Sequence, residues 1–271
     1  MAGSPFSLTI LGARGSVPVS GSEYIKYGGA TSCYMLEAGN QVVFLDAGTG
    51  IIDAPSLDDK EGIYVVMSHP HLDHIIGLPF FPELSKKDRK ITLYGRQANG
   101  RSIEAQIEKA YSPPYWPLTI AEYPSNFVYV DLELPLSILN GRDVILIEGM
   151  EVRHPGGCLA LSVTYEGKKV VYVTDCEIGE SLSDRLVRFS KNADVLLCDA
   201  QYTSAEYENR KGFGHSTPEM AIELYKASEA GRLLLIHHDP KHRDSDLEKL
   251  EAEIGDKNIA FARSGMRIEI T

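Results

Sequence analysis

The fold of this chain is decided by the stretch IYVVMSHPHLDH, residues 63–74. Its apolar first half, with two adjacent valines, is typical of a buried β-strand. Three histidines and an aspartate follow directly, within residues 69–74. Imidazoles that alternate after a strand can converge on one cation, while Asp73 and His74 can reach a second. Imidazole and carboxylate together suit zinc, manganese or iron. The stretch therefore predicts a metal site at the end of a strand.

Three later positions present candidate ligands in the same way. His154 follows the strand-like residues 151–153, Asp175 ends the segment 170–174, and His237 ends 233–236. A single histidine at a strand end is usually only hydrogen-bonded. Several strand ends at one edge of a scaffold, however, can bring such side chains together. The chain has eight histidines, and we place all of them in segments near this site: 69, 71, 74, 154, 215, 237, 238 and 242.

Short β-rich segments alternate with helical patterns along the whole chain. We predict strands at residues 7–11, 32–37, 41–46, 63–68, 91–94, 144–148, 162–165, 170–174, 195–198 and 233–236. We predict helices around 103–110 and 182–189, one that starts at 216–219 and is closed by Gly231, and one from Ser245 to Gly255. The segment 166–168 is typical of a hairpin turn. Strand-rich halves that each finish with helices favour two sheets packed face to face, with helices outside. We find no linker and expect a single domain over residues 1–271.

Composition narrows the possible partners. The chain has 271 residues, a formal net charge of −11 and a pI near 5.2. Such a surface repels polyanions, so we expect a large nucleic acid to be an unlikely partner. No apolar run is long enough to span a membrane, and residues 1–7 lack the features of a secretory signal. The four cysteines have no close paired spacing. We expect free buried thiols in a cytoplasmic protein.

The order of the candidate residues resembles the metallo-β-lactamase fold superfamily, whose architecture is an αββα four-layer sandwich. The matching positions are Asp46, His69, His71, Asp73, His74, His154, Asp175 and His237. More narrowly, the chain resembles the phosphodiesterase branch that holds ribonuclease Z, the phosphoribosyl cyclic phosphodiesterases and related cyclic-nucleotide phosphodiesterases. Asp175 favours this branch, because true β-lactamases of this fold lack that bridging residue. His71 disfavours the di-iron oxygen reductases, which carry glutamate there.

The resemblance implies a centre of two divalent metal ions, for which we expect Zn²⁺, with Mn²⁺ or Fe²⁺ as alternatives. It places His69, His71 and His154 on one ion, and it places Asp73, His74 and His237 on the other. Asp175 would bridge the ions, and Asp46 would orient ligands without binding metal. Such a pair of ions supplies a hydroxide that can attack phosphorus.

A second motif resembles the Gly-His-Ser-Thr segment of ribonuclease Z. It is GFGHST, residues 212–217. In that family this histidine, paired with an acid, helps to protonate the leaving oxygen; here the pair would be His215 and Asp199. We take Asp73, Asp199 and His215 as candidate catalytic residues. The alternative for His215 is a hydrogen bond at the helix entry.

Five further residues are candidate substrate contacts. Arg14, in a glycine-rich loop, has the geometry to clamp a phosphate, although a structural turn is the alternative. Tyr115 and Trp116 lie in an insertion around residues 98–132 and could form a stacking wall or a dimer contact. His238 and His242 follow the predicted ligand His237. They would line the pocket, orient neighbours or lie on the surface.

These observations predict a two-metal phosphodiesterase, expected to be a homodimer, that opens a small phosphodiester such as a cyclic nucleotide or a ribosyl cyclic phosphate. Three alternatives remain: a tRNA 3′-processing endoribonuclease like ribonuclease Z, a thioester or lactam hydrolase on the same centre, and a non-catalytic module that senses nucleotides through the metals.

Overall fold

The two predicted sheets are present. The computed structural model describes residues 6–179 and 182–270, and within them fourteen strands form two mixed seven-stranded sheets. In spatial order, the first sheet contains β14 (Arg267–Glu269), β1 (Phe6–Gly12), β2 (Cys33–Ala38), β3 (Gln41–Leu45), β4 (Gly62–Val66), β5 (Lys90–Gly95) and β6 (Asn126–Asp131). The second contains β13 (Ile259–Phe261), β12 (Leu233–Ile236), β11 (Val195–Asp199), β10 (Lys168–Val173), β9 (Cys158–Tyr165), β8 (Asp143–Val152) and β7 (Leu136–Asn140). The α-helices of the described residues are α1 (Leu72–Ile75), α2 (Ile103–Ala110), α3 (Asp184–Ser190), α4 (Ser204–Tyr207), α5 (Pro218–Ser228) and α6 (Asp244–Ile254).

The inner faces of the sheets share one apolar core. Val43 of the first sheet and Leu161 of the second belong to the same buried cluster. The rings of Tyr34 and Tyr172 meet across the two sheets with their centroids 4.9 Å apart. Each such buried side chain contributes about 1.5–3 kcal/mol through removal from water. The two sheets are therefore held together mainly by hydrophobic burial.

The outer faces are covered by helices. Val42 and Phe44 of β3 point away from the inner core and pack with Ile103 and Ile107 of α2. On the opposite side, residues of β11 and β12 pack with Leu224 of α5 and other helical residues. A sheet that is covered on both faces needs continuous apolar strands rather than alternation, which explains why β3 is buried along its whole length. The four layers confirm the αββα architecture that the resemblance implied.

Parallel pairing places the carboxyl ends of the central strands together. In the first sheet, β3, β4, β5 and β6 are parallel neighbours. In the second, β10, β11, β12 and β13 are parallel as well. The loops that follow these ends carry the predicted ligands except His154, which follows the antiparallel strand β8. Ligand sites in sheets with parallel strands usually lie at such ends.

The structure differs from the prediction at several elements. The region 98–132 is not wholly an insertion, because β6 lies within it and pairs along its full length with β5. Strands β6, β7, β13 and β14 were not predicted. Helix α3 begins at Asp184, after Leu182. Helix α5 ends at Ser228, and the next residue, Glu229, supplies with its φ of 53° the left-handed turn that we assigned to Gly231. The helix start within residues 216–219, where Thr217 caps α5, the end of α6 before Gly255 and the 166–168 turn are confirmed.

Two expectations about the chain as a whole can also be compared with the structure. All four cysteines are free and buried, as predicted. Within the part of the chain that the structure describes, no helix has both the length and the apolar composition needed to cross a membrane.

Candidate metal centre

Three residues that follow strands adopt a left-handed backbone. Asp46 after β3, Asp175 after β10 and His237 after β12 have φ values of 61°, 45° and 61°. This conformation is unfavourable for residues other than glycine and typically costs about 1–3 kcal/mol each, so it persists only where the surroundings enforce it. Each turn ends the strand and brings its side chain into one buried cluster.

The first half of this cluster contains three imidazoles and one carboxylate. The ligand atoms of His69, His71, His154 and Asp175 all lie within 4.8 Å of one another. Nε2 of His154 is 3.1 Å from Nδ1 of His71. Asp175 Oδ2 lies 3.6 Å from Nε2 of His69 and 3.5 Å from Nε2 of His154. These are the separations expected of atoms that share one cation.

The second half uses the other oxygen of the same carboxylate. Asp175 Oδ1 lies 3.1 Å from Nε2 of His74 and 3.2 Å from Nε2 of His237. Asp73 Oδ2 is 3.3 Å and 3.2 Å from the same two nitrogens. Asp175 therefore faces both groups with different oxygens. That is the arrangement in which one carboxylate bridges two ions.

The hydrogen bonding of the cluster shows, without any appeal to the resemblance, that these residues fit divalent cations. Nε2 of His69 and Nε2 of His74 are buried, and among the described residues neither makes a hydrogen bond of normal geometry, although Asp175 Oδ1 lies 3.1 Å from Nε2 of His74. Buried polar atoms are normally satisfied, so two orphaned imidazole nitrogens in one cluster indicate that an ion belongs there. The fold and this cluster together indicate divalent metal binding.

The electrostatics differ between the two halves of the cluster. In the second half, burial alone would lower the pKa values of His74 and His237, but the neighbouring carboxylates raise them more, that of His237 to about 9, so these rings would give up a proton on binding a cation. The first half is already in the form that binds metal. Burial lowers the pKa of His69 well below its ordinary value, and it also lowers the pKa values of His71 and His154. Burial alone would raise the pKa of Asp175, but the imidazoles of His237 and His74 lower it more, so the carboxylate stays ionised. Neutral imidazole and ionised carboxylate are the forms that bind metal.

Asp46 holds one of these imidazoles in place. Its Oδ2 atom lies 2.7 Å from Nδ1 of His74 and accepts hydrogen bonds from the hydroxyls of Ser68 and Tyr172, while Oδ1 accepts from the Ser68 amide. A proton on Nδ1 leaves Nε2 of His74 free as a ligand. The contact geometry is thus that of the orienting residue we expected.

A corresponding partner for His237 was missed by the sequence analysis. Nδ1 of His237 lies 3.0 Å from Oε1 of Gln201, and Nε2 of Gln201 donates to Oγ of Ser16. The Ser16 amide in turn donates to Asp73 Oδ2. Gly15 approaches so closely that a Cβ there would come within 2.4 Å of the His237 ring. No local pattern links these residues, which lie far apart in the sequence.

His215 and Asp199 form a pair beside the cluster. Nδ1 of His215 is 2.8 Å from Asp199 Oδ2, and Asp199 Oδ1 accepts the amide of Ser216. These two residues also lie within 4.8 Å of the ligand atoms of Asp175 and His237. The short bond to Asp199 occupies Nδ1 of His215 and leaves Nε2 available. The structure therefore brings the two residues together as predicted, at the edge of the cluster.

A cavity of about 350 Å³ opens over the cluster. Its lining residues are Ser16, His71, Leu72, Asp73, His154, Pro155, Asp175, Phe213, His215 and His237. Leu72 and Phe213 remain 65% and 60% exposed. Neither residue has a role predicted from the sequence, although Phe213 lies within the GFGHST segment.

Arg14 does not contact the cavity, which corrects our expectation of a phosphate clamp. Its side chain is fully buried. Its Nε donates to the carbonyl of Gly28, and one terminal nitrogen donates to the carbonyls of Asp239 and His242. Arg14 thereby ties two glycine-rich segments to the loop after β12. The alternative of a structural turn is the correct one.

Tyr115 and Trp116 also lie away from the cavity. Tyr115 is 84% exposed, and Trp116 packs edge-on against Phe80 and Tyr111 at centroid distances of 5.3 Å and 5.9 Å. The prediction of a stacking wall at the site is therefore wrong for both residues. The segment instead rests on the outer layer of the first sheet.

His238 and His242 are turned away from the cluster. Nε2 of His238 contacts the carbonyl of Ala262, and burial lowers the pKa of His238 to about 3. Nε2 of His242 lies 3.0 Å from a carboxylate oxygen of Glu206. The main chain takes its left-handed turn at His237, so the His237 ring enters the cluster while the His238 ring faces Ala262. Neither histidine lines the pocket, and neither has a plain surface role.

Two facing sheets with a histidine–aspartate cluster at their strand ends define the class, the metallo-β-lactamase fold. The chain belongs to the β-lactamase superfamily, because the family model described as "Beta-lactamase superfamily domain" matches residues 41–238.

Ribonuclease Z of Pyrococcus furiosus is 26% identical over 254 residues, covering 76% of this chain and 80% of that protein. Among solved structures, the metallo-β-lactamase fold protein YhfI of Bacillus subtilis superposes with a TM-score of 0.72 at 24% identity, over 98% of this chain and all of that one. The short form of human tRNase Z gives 0.69 at 19%, covering 98% and 99%. Several sequence relatives are named ribonuclease Z, so a large nucleic acid is a possible partner of this protein. This finding speaks against our expectation, drawn from the net charge, that such a partner is unlikely.

Proposed function

We propose that this protein is a two-metal phosphodiesterase that hydrolyses a small phosphodiester, such as a cyclic nucleotide or a ribosyl cyclic phosphate. The observation that carries the proposal is the His215–Asp199 pair at the edge of the ligand cluster. A phosphodiester needs a proton for its leaving oxygen. A histidine held by a carboxylate beside the centre is suited to donate one.

Each residue has a defined task in this proposal. Bound divalent ions would supply a water of lowered pKa and stabilise charge on the phosphoryl oxygens. Asp175 and Asp73 provide the negative charge that holds those ions. Asp199 accepts a hydrogen bond from Nδ1–H of His215 and so fixes the orientation of the ring. Nε2 of His215, which lines the cavity, can then release its proton to the leaving oxygen.

The proposal is tested with protein loaded with Zn²⁺ or Mn²⁺ and checked for metal content. We expect hydrolysis of bis-p-nitrophenyl phosphate and of at least one member of a panel of cyclic nucleotides and ribosyl cyclic phosphates. If a protein with both ions hydrolyses no diester, the proposal is wrong. Assays with a glutathione thioester and a lactam compare the other hydrolytic chemistries on the same centre.

A second candidate function is tRNA 3′ processing, which the relatives named ribonuclease Z favour. Two observations support the smaller substrate. The net charge of −11 opposes binding of a polyanion. The region 98–132 packs against the first sheet, with Ile103, Ile107 and Ile120 in the core between that sheet and its outer helices. A region that packs in this way does not project from the fold as an arm that could hold a long nucleic acid. Cleavage of precursor tRNA that falls steeply with added salt would favour the second candidate.

We also propose a homodimer, supported by exposed apolar side chains beside the 111–117 segment. Phe80, Tyr115 and Leu118 are 54%, 84% and 41% exposed. Analytical ultracentrifugation is expected to give twice the chain mass, and Tyr115→Asp is expected to shift the equilibrium towards the monomer. A wild-type chain that sediments as a monomer at all concentrations would exclude this.

A further inference from the structure

Phe213 is a large apolar side chain that the proposed chemistry does not use. Its ring is 60% exposed, yet it lines the same cavity as His215 and Asp175. Leu72, which follows the ligand His71, is 65% exposed and lines that cavity too. Ligand pockets combine apolar walls with a few polar groups, so two apolar side chains that line the same cavity as the polar cluster are candidate ligand contacts.

The backbone on both sides of Phe213 is held by one buried carboxylate. Glu177 is only 4% exposed. Its carboxylate accepts the amide of Gly212 at 2.9 Å, the amide of Gly214 at 3.3 Å and the hydroxyl of Tyr207 at 3.0 Å. The flanking glycines have φ values of 88° and 92°, which side chains rarely adopt. The ring is therefore presented by a loop that is fixed at both flanks.

The same loop is in direct contact with the candidate centre. The carbonyl of Gly214 accepts from Nδ1 of His154 at 3.1 Å. A Cβ at Gly214 would come within 2.2 Å of that nitrogen, so the loop and the imidazole fit closely. Because of this contact, the position of Phe213 relative to the ligand cluster is set by the fold.

We infer that Phe213 is a base-stacking platform: its ring packs on the nucleobase of the substrate while the centre holds the phosphate. Leu72 provides a second apolar wall, and Glu177 is a positioning residue that fixes the platform. The cavity of about 350 Å³ lies in the range of sites for small ligands. The inference rests on the proposed function and deepens it, because it commits the substrate to a diester that carries an aromatic base.

The test compares two ligands that share a ribose phosphate and differ in the base. AMP and ribose 5-phosphate are titrated into zinc-loaded protein by calorimetry. Base–aromatic stacking is worth about 1–3 kcal/mol, so we expect AMP to bind about tenfold more tightly. Phe213→Ala should abolish this preference and leave the affinity for ribose 5-phosphate unchanged, while Phe213→Trp should keep the preference.

Two further variants sharpen the comparison. Tyr115→Ala removes an exposed aromatic ring outside the cavity and should leave both affinities unchanged. Glu177→Gln should weaken AMP binding severalfold without changing the zinc content or the affinity for ribose 5-phosphate. If Glu177 had only a structural role, Glu177→Gln would weaken the binding of both ligands to the same extent.

Equal wild-type affinities, equal losses for both ligands in Phe213→Ala, or binding of neither ligand by fully loaded protein would overturn the inference. Diester hydrolysis is measured separately, so the two proposals can fail independently. The protein could show a Phe213-dependent preference for AMP and yet hydrolyse no diester. That result would support the base-stacking platform and disprove the proposed function.

Discussion

Nδ1 of His215 lies 2.8 Å from Oδ2 of Asp199, and the His215 ring stacks on His237 with centroids 4.9 Å apart. His215 is thus adjacent to the ligand cluster while one of its nitrogens is already bonded to a carboxylate. This contact supports the role of proton donor that we propose for His215.

We expect His215→Ala to retain both metal ions and to lower kcat by about 10²- to 10⁴-fold, the usual contribution of a general acid. Metal content by mass spectrometry and turnover of a diester are measured on the same sample. Asp199→Asn should give a smaller loss, because it keeps a hydrogen-bond acceptor beside Nδ1. Loss of metal in His215→Ala would instead make this histidine a ligand.

Asp175→Ala should lower bound metal below two ions per chain. The reason is that its two oxygens face different halves of the cluster, at 3.1 Å from His74 and 3.5 Å from His154. Equilibrium dialysis against zinc measures the stoichiometry. Glu151→Ala, an exposed carboxylate, is the matched control and should still bind two ions. Two tightly bound ions in Asp175→Ala would disprove the bridging role.

Gln201→Leu should weaken binding at the second metal position about 10- to 100-fold, the usual effect of removing a residue that orients a ligand. The amide oxygen of Gln201 lies 3.0 Å from Nδ1 of His237 and fixes which nitrogen is presented. Gln201→Glu retains an acceptor and should bind zinc nearly as well as wild type. Competition with a chromophoric chelator gives both constants, and unchanged affinity in Gln201→Leu would refute the assignment.

Arg14→Met should destabilise the protein by about 3 kcal/mol, because three carbonyl groups lose a buried charged donor. For a chain of this size the loss corresponds to a fall in Tm of roughly 10 °C. KM should stay unchanged, since Arg14 lies outside the cavity. Calorimetric melting and steady-state kinetics test both statements. An unaltered Tm with a raised KM would restore the phosphate clamp.

The ligand cluster could be predicted because its signals are local. His69 and His237 each follow a recognisable apolar strand, His154 follows the strand-like residues 151–153, and parallel strand ends meet in space. The fold class followed from the same strands. Short edge strands such as β13 and β14, with three residues each, carry too little pattern to be recognised.

The wrong predictions have a common physical cause. Whether a side chain is buried, and in which direction it points, depends on tertiary packing. Arg14 stands in a glycine-rich loop that suggests an exposed phosphate site, yet the loop is covered by residues 239–242, more than two hundred positions later. The aromatic residues at 115 and 116 were placed by composition alone. The contact between Gln201 and Ser16 joins two segments that have no shared pattern.

The left-handed turns at Asp46, Asp175 and His237 have a consequence for protein design. If the same side chains were grafted onto the strand ends of another sheet, the backbone there would continue in its ordinary extended conformation and the side chains would point apart. A transplanted centre would have to include the three unfavourable backbone conformations and enough surrounding packing to enforce them. A site of this kind is therefore specified by main-chain torsion angles as much as by the identities of its ligands.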